Sequence, residues 1–246
     1  MLGLQLYTVR NIIKDEGSAV AVIGEVKKMG YECVQVAGDM DTIALTINAS
    51  KKAGIAVVGI LSSMKDCEEQ SETMFSLARS CGATDIGISS TIKTEAEAYD
   101  LVTRVNAFAQ KAKENGFTFS YHNHSNEFIR GESGKVLMQI LLEGFDTSLV
   151  YFMPDTYWLQ HGGMDVRDFL EKLAGRVKIL HLKDMKRTLQ GTTTYAELGV
   201  GNINFPGIIP VAKRIGTLHF IVEQDICDVD PLISARISRE YLKDLL

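Results

Sequence analysis

The sequence is short of features that mark whole classes of protein. Its four cysteines are scattered and form no CxxC pair; they are Cys33, Cys67, Cys81 and Cys227. Neither a disulfide framework nor a cysteine zinc site is therefore indicated, and we expect a reducing, cytoplasmic setting. Basic residues are in the minority, and the formal net charge is −5. A negative charge disfavours binding to nucleic acid, whose phosphates attract basic surfaces.

Long apolar runs are missing as well. The longest runs have the length of a strand and are broken by polar residues, whereas a membrane-spanning helix needs about 20 apolar residues. The N-terminal MLGLQLYTVRN is apolar only briefly and carries no basic leader, so we expect neither a signal peptide nor a membrane partner. No G-x-G-x-x-G motif follows the first apolar run, which weakens a dinucleotide-binding interpretation.

What the sequence does contain is a repeated pattern of short apolar runs and helical segments. The runs span 2–7, 31–36, 55–60, 84–89, 117–122, 149–154, 177–182 and 218–223. Their spacing is that of βα units, and glycines such as Gly54 and Gly116 precede them as helix C-caps. The clearest helices are 95–115, with a capping box at Thr94, and 165–174, with Asp165 as N-cap.

Eight such units predict a parallel sheet surrounded by eight helices. This number favours a closed (β/α)8 barrel, a single TIM-barrel domain over residues 1–246. An open, doubly wound sheet is the alternative, although such sheets usually have fewer strands. In a barrel, the reactive residues lie at the C-terminal ends of the strands and in the loops that follow them.

Ligand-type side chains collect at the C-terminal ends of the last four predicted strands. They are His122 and His124 on strand five, Asp155 after strand six, His181, Lys183 and Asp184 on strand seven, and Glu223 on strand eight. Imidazole and carboxylate together suit Mn²⁺, Co²⁺, Zn²⁺ or Mg²⁺. Alternate strand residues face the same way, so either histidine of strand five is a candidate fourth ligand. Each residue alone also has an ordinary structural explanation, such as a helix N-cap for Asp155 or a loop cap for Asp184.

Five segments carry a family resemblance: YHNHSNEF, DTYWLQHGGMD, GRVKILHLKDM, GVGNINFPGI and IVEQD. In this order the chain resembles the xylose isomerase-like TIM-barrel family, the sugar phosphate isomerase/epimerase group. The resemblance implies one divalent metal ion held by Glu, Asp, His and Glu on strands five to eight. Asp155, His181 and Glu223 match three of these positions, and His122 stands where the first glutamate is expected. The resemblance also implies a carbohydrate substrate and a homodimer or homotetramer.

The implied activity is isomerisation or epimerisation of a sugar or sugar derivative. Glu223 is the candidate general base, which removes a proton next to a carbonyl to give a metal-stabilised enediolate. Because His122 replaces one of two glutamates that would exchange the proton from opposite faces, Lys183 and Glu127 become further catalytic candidates. A solvated or structural role is the competing interpretation for both.

Three further residues are candidate substrate contacts. They are His124, Trp158 and His161, and Trp158 stands where epimerase-like members often carry histidine. Its ring is expected either to stack on a sugar or to pack beneath the loop.

Three other functions compete with isomerisation. A lyase on the same scaffold, inosose dehydratase-like or keto-glycoside-cleaving, would expel a β-leaving group, and the H-x-H strand end favours it. An apurinic endonuclease needs a cluster of zinc ions, and strands two and three offer no histidine. A non-catalytic sugar-binding barrel is disfavoured by the intact set of Asp155, His181 and Glu223.

Overall fold

All eight predicted strands form, and they lie side by side in one parallel sheet. The computed structural model describes residues 1–246 without a gap. The strands are β1 Leu2–Gln5, β2 Cys33–Ala37, β3 Ala56–Ser62, β4 Asp85–Ser89, β5 Thr118–His122, β6 Val150–Met153, β7 Ile179–Leu182 and, last in the chain, β10 His219–Val222. Their order in the sheet is β6-β5-β4-β3-β2-β1-β10-β7.

The two outer strands of this order, β6 and β7, meet and nearly close the sheet into a barrel. Single parallel bridges join Phe152 to Val177 and Asp155 to His181. The amide of Phe152 donates to the carbonyl of Arg176 at 2.8 Å, and the amide of His181 donates to that of Pro154 at 2.9 Å. The predicted TIM barrel is therefore confirmed, and the open sheet is wrong.

Ten α-helices surround the strands. They are α1 Glu16–Lys28, α2 Met40–Ala53, α3 Met64–Glu69, α4 Ser71–Cys81, α5 Glu95–Glu114, α6 Leu137–Gly144, α7 Thr156–His161, α8 Val166–Lys172, α9 Phe205–Arg214 and α10 Pro231–Tyr241. Short 3-10 helices cover Leu6–Ile12, Asn126–Phe128 and Leu242–Asp244. The capping box at Thr94 and the N-cap at Asp165 are both confirmed. None of the helices combines the length and apolar character that crossing a membrane requires.

The expected count of eight helices is wrong, because two strand-to-strand connections each contain two helices. These connections are α3 with α4, and α7 with α8. The connection after β7 contains an unforeseen antiparallel hairpin, β8 Asp184–Arg187 and β9 Thr193–Ala196. The hairpin pairs Met185 with Tyr195 and so brings an extra aromatic side chain towards the mouth of the barrel.

Most of the apolar core lies between the barrel and the helices, where 65 buried residues form one cluster. A separate cluster of six buried residues comes from the strands β2, β3, β6, β7 and β10; it contains Cys33, Val58, Leu61, Met153, Ile179 and Ile221. Nearer the C-terminal ends of the strands the buried side chains become polar, as at Gln5, Gln35 and His181. Buried polar groups need partners, so this polar layer is where a functional site is expected.

Candidate metal centre

The period of two along each strand places the four predicted ligands. His122 ends β5, His181 lies within β7, Glu223 directly follows β10, and Asp155 follows β6 as the partner of His181 in the closing bridge. All four residues are buried, and their ligand atoms all lie within 4.8 Å of one another. The structure thus brings together the four residues that the sequence singled out.

His181 is held by hydrogen bonds on both of its ring nitrogens. Its Nε2 lies 2.6 Å from Oε1 of Gln35, and the same oxygen accepts a 2.8 Å bond from Nε2 of Gln5. An amide oxygen can only accept, so Nε2 of His181 carries a proton. Its Nδ1 faces Oε2 of Glu223 at 2.8 Å, and this pair requires a proton or a cation between them. Such fixing of the outer nitrogen is typical of a metal-binding histidine.

His122 is oriented in a comparable way. Its Nδ1 lies 3.3 Å from the carbonyl oxygen of Met153, which leaves the Nε2 lone pair available to the cluster. Burial lowers the pKa of His122 well below its usual value, and neighbouring His181 and His124 lower it further. His122 is therefore a neutral imidazole, the form that binds a metal ion.

Asp155 serves two purposes at once. Its Oδ1 accepts the amide of Trp158 at 3.1 Å and so caps α7, as the structural interpretation of the sequence expected. Its Oδ2 is buried and makes no hydrogen bond, although Nζ of Lys183 lies 3.0 Å away in an unfavourable direction. Burial raises the pKa of Asp155 to about 6. Apart from this ion pair the buried oxygen has no partner, so it fits a site for a cation.

Lys183 lies among three carboxylates and is almost completely buried. Its Nζ is 3.0 Å from Asp155, 3.1 Å from Glu223 and 3.0 Å from Asp225. Burial alone would lower the pKa of Lys183, but these carboxylates outweigh burial and hold the pKa well above its usual value. Burial would likewise raise the pKa of Glu223, but Lys183 and His181 hold it well below its usual value. Lys183 is therefore a buried ammonium rather than a solvated loop lysine.

The charges of this cluster do not balance. Three carboxylates surround one ammonium, which leaves two negative charges without a counter-ion when His181 is neutral and one when a second proton lies between His181 and Glu223. Buried charges are costly unless they are paired or coordinate a metal. A divalent cation bound by His122, Asp155, His181 and Glu223 would match both the charge and the free ligand atoms, so the residues present fit such an ion.

The structure leaves Glu127 out of the cluster. The carboxylate is fully buried, accepts the hydroxyl of Tyr121 at 2.7 Å and binds the amide of His124 at 3.0 and 3.1 Å. It holds the loop after β5 in place and does not line the cleft.

The three candidate substrate contacts differ in position. His124 lines the cleft above the cluster, and its Nδ1 is buried without a hydrogen-bond partner. The ring of Trp158 lies 5.2 Å from that of His124 and 5.4 Å from Nζ of Lys183. His161 is exposed and stacks on Tyr157 at 5.6 Å; it does not line this cleft.

The cleft above the cluster has a volume of about 420 Å³, within the range of small-molecule sites. Part of its wall comes from the ends of β2 and β3 and the loops that follow them, where the sequence predicted no site residue. This wall contains Asp39, Ser62, Ser63 and Asp66. Tyr195 of the hairpin stacks on Tyr157 at 4.6 Å and approaches Lys183.

Sequence reasoning also missed Gln5 and Gln35. The available signal was a polar residue at an inward position of an otherwise apolar strand, in LGLQ and CVQV.

Residues 23–245 match the family model of the xylose isomerase-like TIM barrel, and the chain belongs to that family. The resemblance found in the sequence is thereby confirmed. Among curated relatives, the chain is 29% identical to the inosose dehydratase of Clostridium perfringens (strain ATCC 13124) over an alignment of 170 residues; the match covers 62% of this chain and 56% of the relative. The chain thus spans about half the length of the curated relatives that it matches.

Two solved structures illustrate the shared fold. A sugar phosphate isomerase/epimerase from Parabacteroides distasonis superposes with a TM-score of 0.82 at 23% identity, covering 98% of this chain and 92% of the other. A xylose isomerase-like TIM-barrel protein from Mycobacterium smegmatis, in complex with magnesium, superposes with a TM-score of 0.68 at 17% identity, covering 93% and 88%.

Proposed function

We propose that the chain is a divalent-cation-dependent enzyme that removes a proton from the carbon next to the carbonyl of a sugar or sugar derivative. The observation that carries this proposal is the set of four buried ligand atoms within 4.8 Å of one another at the base of a cleft. Mn²⁺, Co²⁺, Zn²⁺ and Mg²⁺ all accept mixed nitrogen and oxygen ligands. When bound, the ion would polarise the substrate carbonyl and so acidify the adjacent C–H bond.

Glu223 is the proposed general base. It is ionised and lines the cleft. Lys183 positions this carboxylate at 3.1 Å and supplies positive charge beside the substrate oxygens. His124, whose Nδ1 is free within the cleft wall, is proposed to hold or donate a proton at a substrate oxygen. Trp158 packs beside both and is proposed to limit the access of water.

Isomerisation is the first candidate reaction, because moving a proton between neighbouring carbons on one face requires only one base. Epimerisation by two opposed carboxylates is not supported, since His122 is neutral and Glu127 is bound to the β5 loop. Neither residue therefore supplies the second carboxylate that such a mechanism needs.

A lyase is the second candidate, and one observation favours it. The cleft combines a single carboxylate base, Glu223, with a neutral imidazole, His124. Such a pair suits removal of a proton by the first and a hydrogen bond from the imidazole N–H to the β-leaving group, to which the protonated Glu223 then returns that proton as the C–O bond breaks. The similarity to an inosose dehydratase supports the same reaction class.

Proton exchange in D₂O tests the proposal. The protein is incubated with Mg²⁺ or Mn²⁺ and a panel of free ketoses, scyllo-inosose and 3-keto-glycosides, and products are followed by NMR or mass spectrometry. Exchange at the carbon next to the carbonyl without loss of a group indicates an isomerase or epimerase. Release of water or of an aglycone indicates a lyase.

Two matched carboxylate variants sharpen the result. Glu223→Gln is expected to abolish exchange, whereas Glu127→Gln, which is equally buried but outside the cleft, is expected to retain it. Absence of exchange with every substrate while the cation is bound would refute the proposed function. Equal loss of exchange in both variants, with both folded, would refute the assignment of the base.

A further inference from the structure

We propose that the substrate is uncharged, a free sugar or cyclitol rather than a phosphate ester. This inference rests on the proposed function and names the substrate class of the same cleft. It follows from two features of the barrel mouth: the charge of the cleft wall, and the carboxylates that occupy the places where a barrel would bind phosphate. Asp39 and Asp66 contribute to both, and Asp184 only to the second.

The wall of the cleft is strongly acidic. Four carboxylates line it, those of Asp39, Asp66, Glu223 and Asp225, whereas Lys183 is the single lysine or arginine among the lining residues. Three carboxylates already surround the ammonium of Lys183. A phosphate group in this cleft would therefore find no free cationic partner and would face uncompensated negative charge. A divalent cation at the cluster would neutralise only the base of the cleft.

Phosphate groups commonly bind to free backbone N–H groups at helix N-termini. At each of the two helices that begin beside the cleft, a side chain of the protein already accepts one of these groups. Asp39 accepts the amide of Thr42 at 2.8 Å at the start of α2. At the start of α3, Ser63 accepts the amide of Asp66 at 3.0 Å, and the carboxylate of Asp66 accepts the hydroxyl of Ser63 at 2.7 Å. Each helix start therefore presents a negative charge to the cleft.

The loops after barrel strands seven and eight are the usual phosphate site of this fold. Here the glycine-rich loop after the hairpin closes around Asp184, as the loop-cap interpretation expected. The carboxylate of Asp184 accepts the amides of Gly199 at 2.9 Å, Gly201 at 3.0 Å and Ile203 at 3.0 Å. A Cβ on Gly201 would come within 2.3 Å of that carboxylate. The chain's own side chain thus fills the cradle that an anion would occupy.

The same wall is well suited to hydroxyl groups. Ser62, Ser63 and Ser89 offer hydroxyls, and Asp39 and Asp66 offer carboxylate oxygens. Hydrogen bonds from a neutral hydroxyl to a carboxylate are charge-assisted and stronger than those between neutral groups. A polyhydroxylated, uncharged ligand therefore gains from the carboxylates that would repel a phosphate ester.

Binding of matched ligand pairs tests the inference without using turnover. The probes are D-fructose against D-fructose 6-phosphate and myo-inositol against myo-inositol 1-phosphate, measured by calorimetry and ligand-observed NMR with Mg²⁺ in excess over the phosphate. Each phosphate ester is expected to bind at least about tenfold more weakly than its free partner, because like charges meet in the cleft.

Charge-removing variants identify the cause. Asp39→Asn combined with Asp66→Asn keeps side-chain shape and capping ability. The double variant is expected to bind the phosphate esters more tightly, and so to reduce the ratio between the affinities for the free compound and for its phosphate ester. The control pair, Asp41→Asn with Glu69→Gln, removes the same charge from exposed positions of the same two helices outside the cleft. The control is expected to leave the ratio unchanged.

Several results would overturn the inference. These are phosphate esters that bind as tightly as the free compounds, a ratio that Asp39→Asn with Asp66→Asn does not alter, or no binding of either neutral probe. Failure of the proposed function is distinguishable. Neutral ligands that bind without any C–H exchange refute the function alone, whereas C–H exchange confined to phosphate esters refutes the inference alone.

Discussion

Replacement of Lys183 by methionine tests whether the ammonium and a divalent cation share the same carboxylates. Lys183 contacts Asp155 and Glu223 at 3.0 and 3.1 Å, and both residues belong to the ligand cluster. Lys183→Met keeps most of the side-chain volume but leaves buried carboxylates unpaired. We expect the variant to be less stable without added cation and to gain more stability than the parent when cation is added.

The magnitude follows from the burial of the pair. Removing one partner of a buried ion pair costs about 3–5 kcal/mol, which for a chain of this length corresponds to a fall in Tm of about 6–20 °C. Each tenfold gain in cation affinity adds about 1.4 kcal/mol to the free energy of unfolding at saturating cation, which raises Tm by about 3–6 °C. Burial already raises the pKa of Asp155 to about 6, and loss of the ammonium raises it further. Because Asp155 can then take up a proton at pH 6 but less readily at pH 8, the loss of stability in Lys183→Met is expected to be larger at pH 8.

The assay is thermal unfolding, with and without Mn²⁺, combined with calorimetric titration of Mn²⁺ at pH 8. Lys186→Met serves as the matched control, because Lys186 lies three residues further on and pairs with Asp228 at the surface at 2.8 Å. Exposed pairs contribute little, so the control is expected to behave like the parent. If Lys183→Met were as stable as the parent, or if Mn²⁺ stabilised both equally, the shared-carboxylate reasoning would be refuted.

Three other perturbations test separate parts of the site and the barrel. Asp155→Asn keeps the cap on α7 but loses a charged ligand, so adding Mn²⁺ is expected not to raise the Tm of this variant. Asp165→Asn changes another helix cap, and Mn²⁺ is expected to raise its Tm as much as that of the parent. Gln35→Leu removes the acceptor that orients His181 and is expected to weaken Mn²⁺ binding by about 10–100-fold in calorimetry, with an unchanged circular dichroism spectrum; unchanged affinity would contradict that role. Burial raises the pKa of Asp85 from 3.8 to about 6, so the parent is expected to lose stability as pH rises from about 4 to about 6. Asp85→Asn is then expected to be more stable at pH 8 by up to about 3 kcal/mol in urea unfolding, with no gain near pH 4; a gain that is independent of pH would exclude this cause.

Much of the barrel could be predicted because its signals are local. The apolar runs are separated by helices with identifiable caps, and the six glycines that precede strands 2, 3, 4, 5, 7 and 8 of the barrel all have positive φ. The four candidate ligands could be placed at one end of the barrel from the shared sheet edge, but a period of two gives His122 and His124 the same orientation, and the family resemblance was needed to choose His122.

Other features depend on contacts that the sequence does not reveal. Glu127 lies close in sequence to His122 and His124, but only the fold shows that its carboxylate is bound by the hydroxyl of Tyr121 and the amide of His124. The burial of Lys183 as an ammonium depends on three carboxylates from two strand ends: Asp155 after β6, and Glu223 and Asp225 after β10. The β8–β9 hairpin has only four residues in each strand, and only three of the eight are buried, so it gives no strong alternation to detect.

The bridge between Asp155 and His181 ties assembly of the ligand set to completion of the barrel. Other neighbouring strands share three to five paired residues, whereas β6 and β7 join through two single bridges. One of these bridges consists of two of the four ligands. An ion bound by both residues would link β6 to β7, the pair of neighbouring strands with the fewest paired residues. Ion binding and closure of the barrel would therefore stabilise each other.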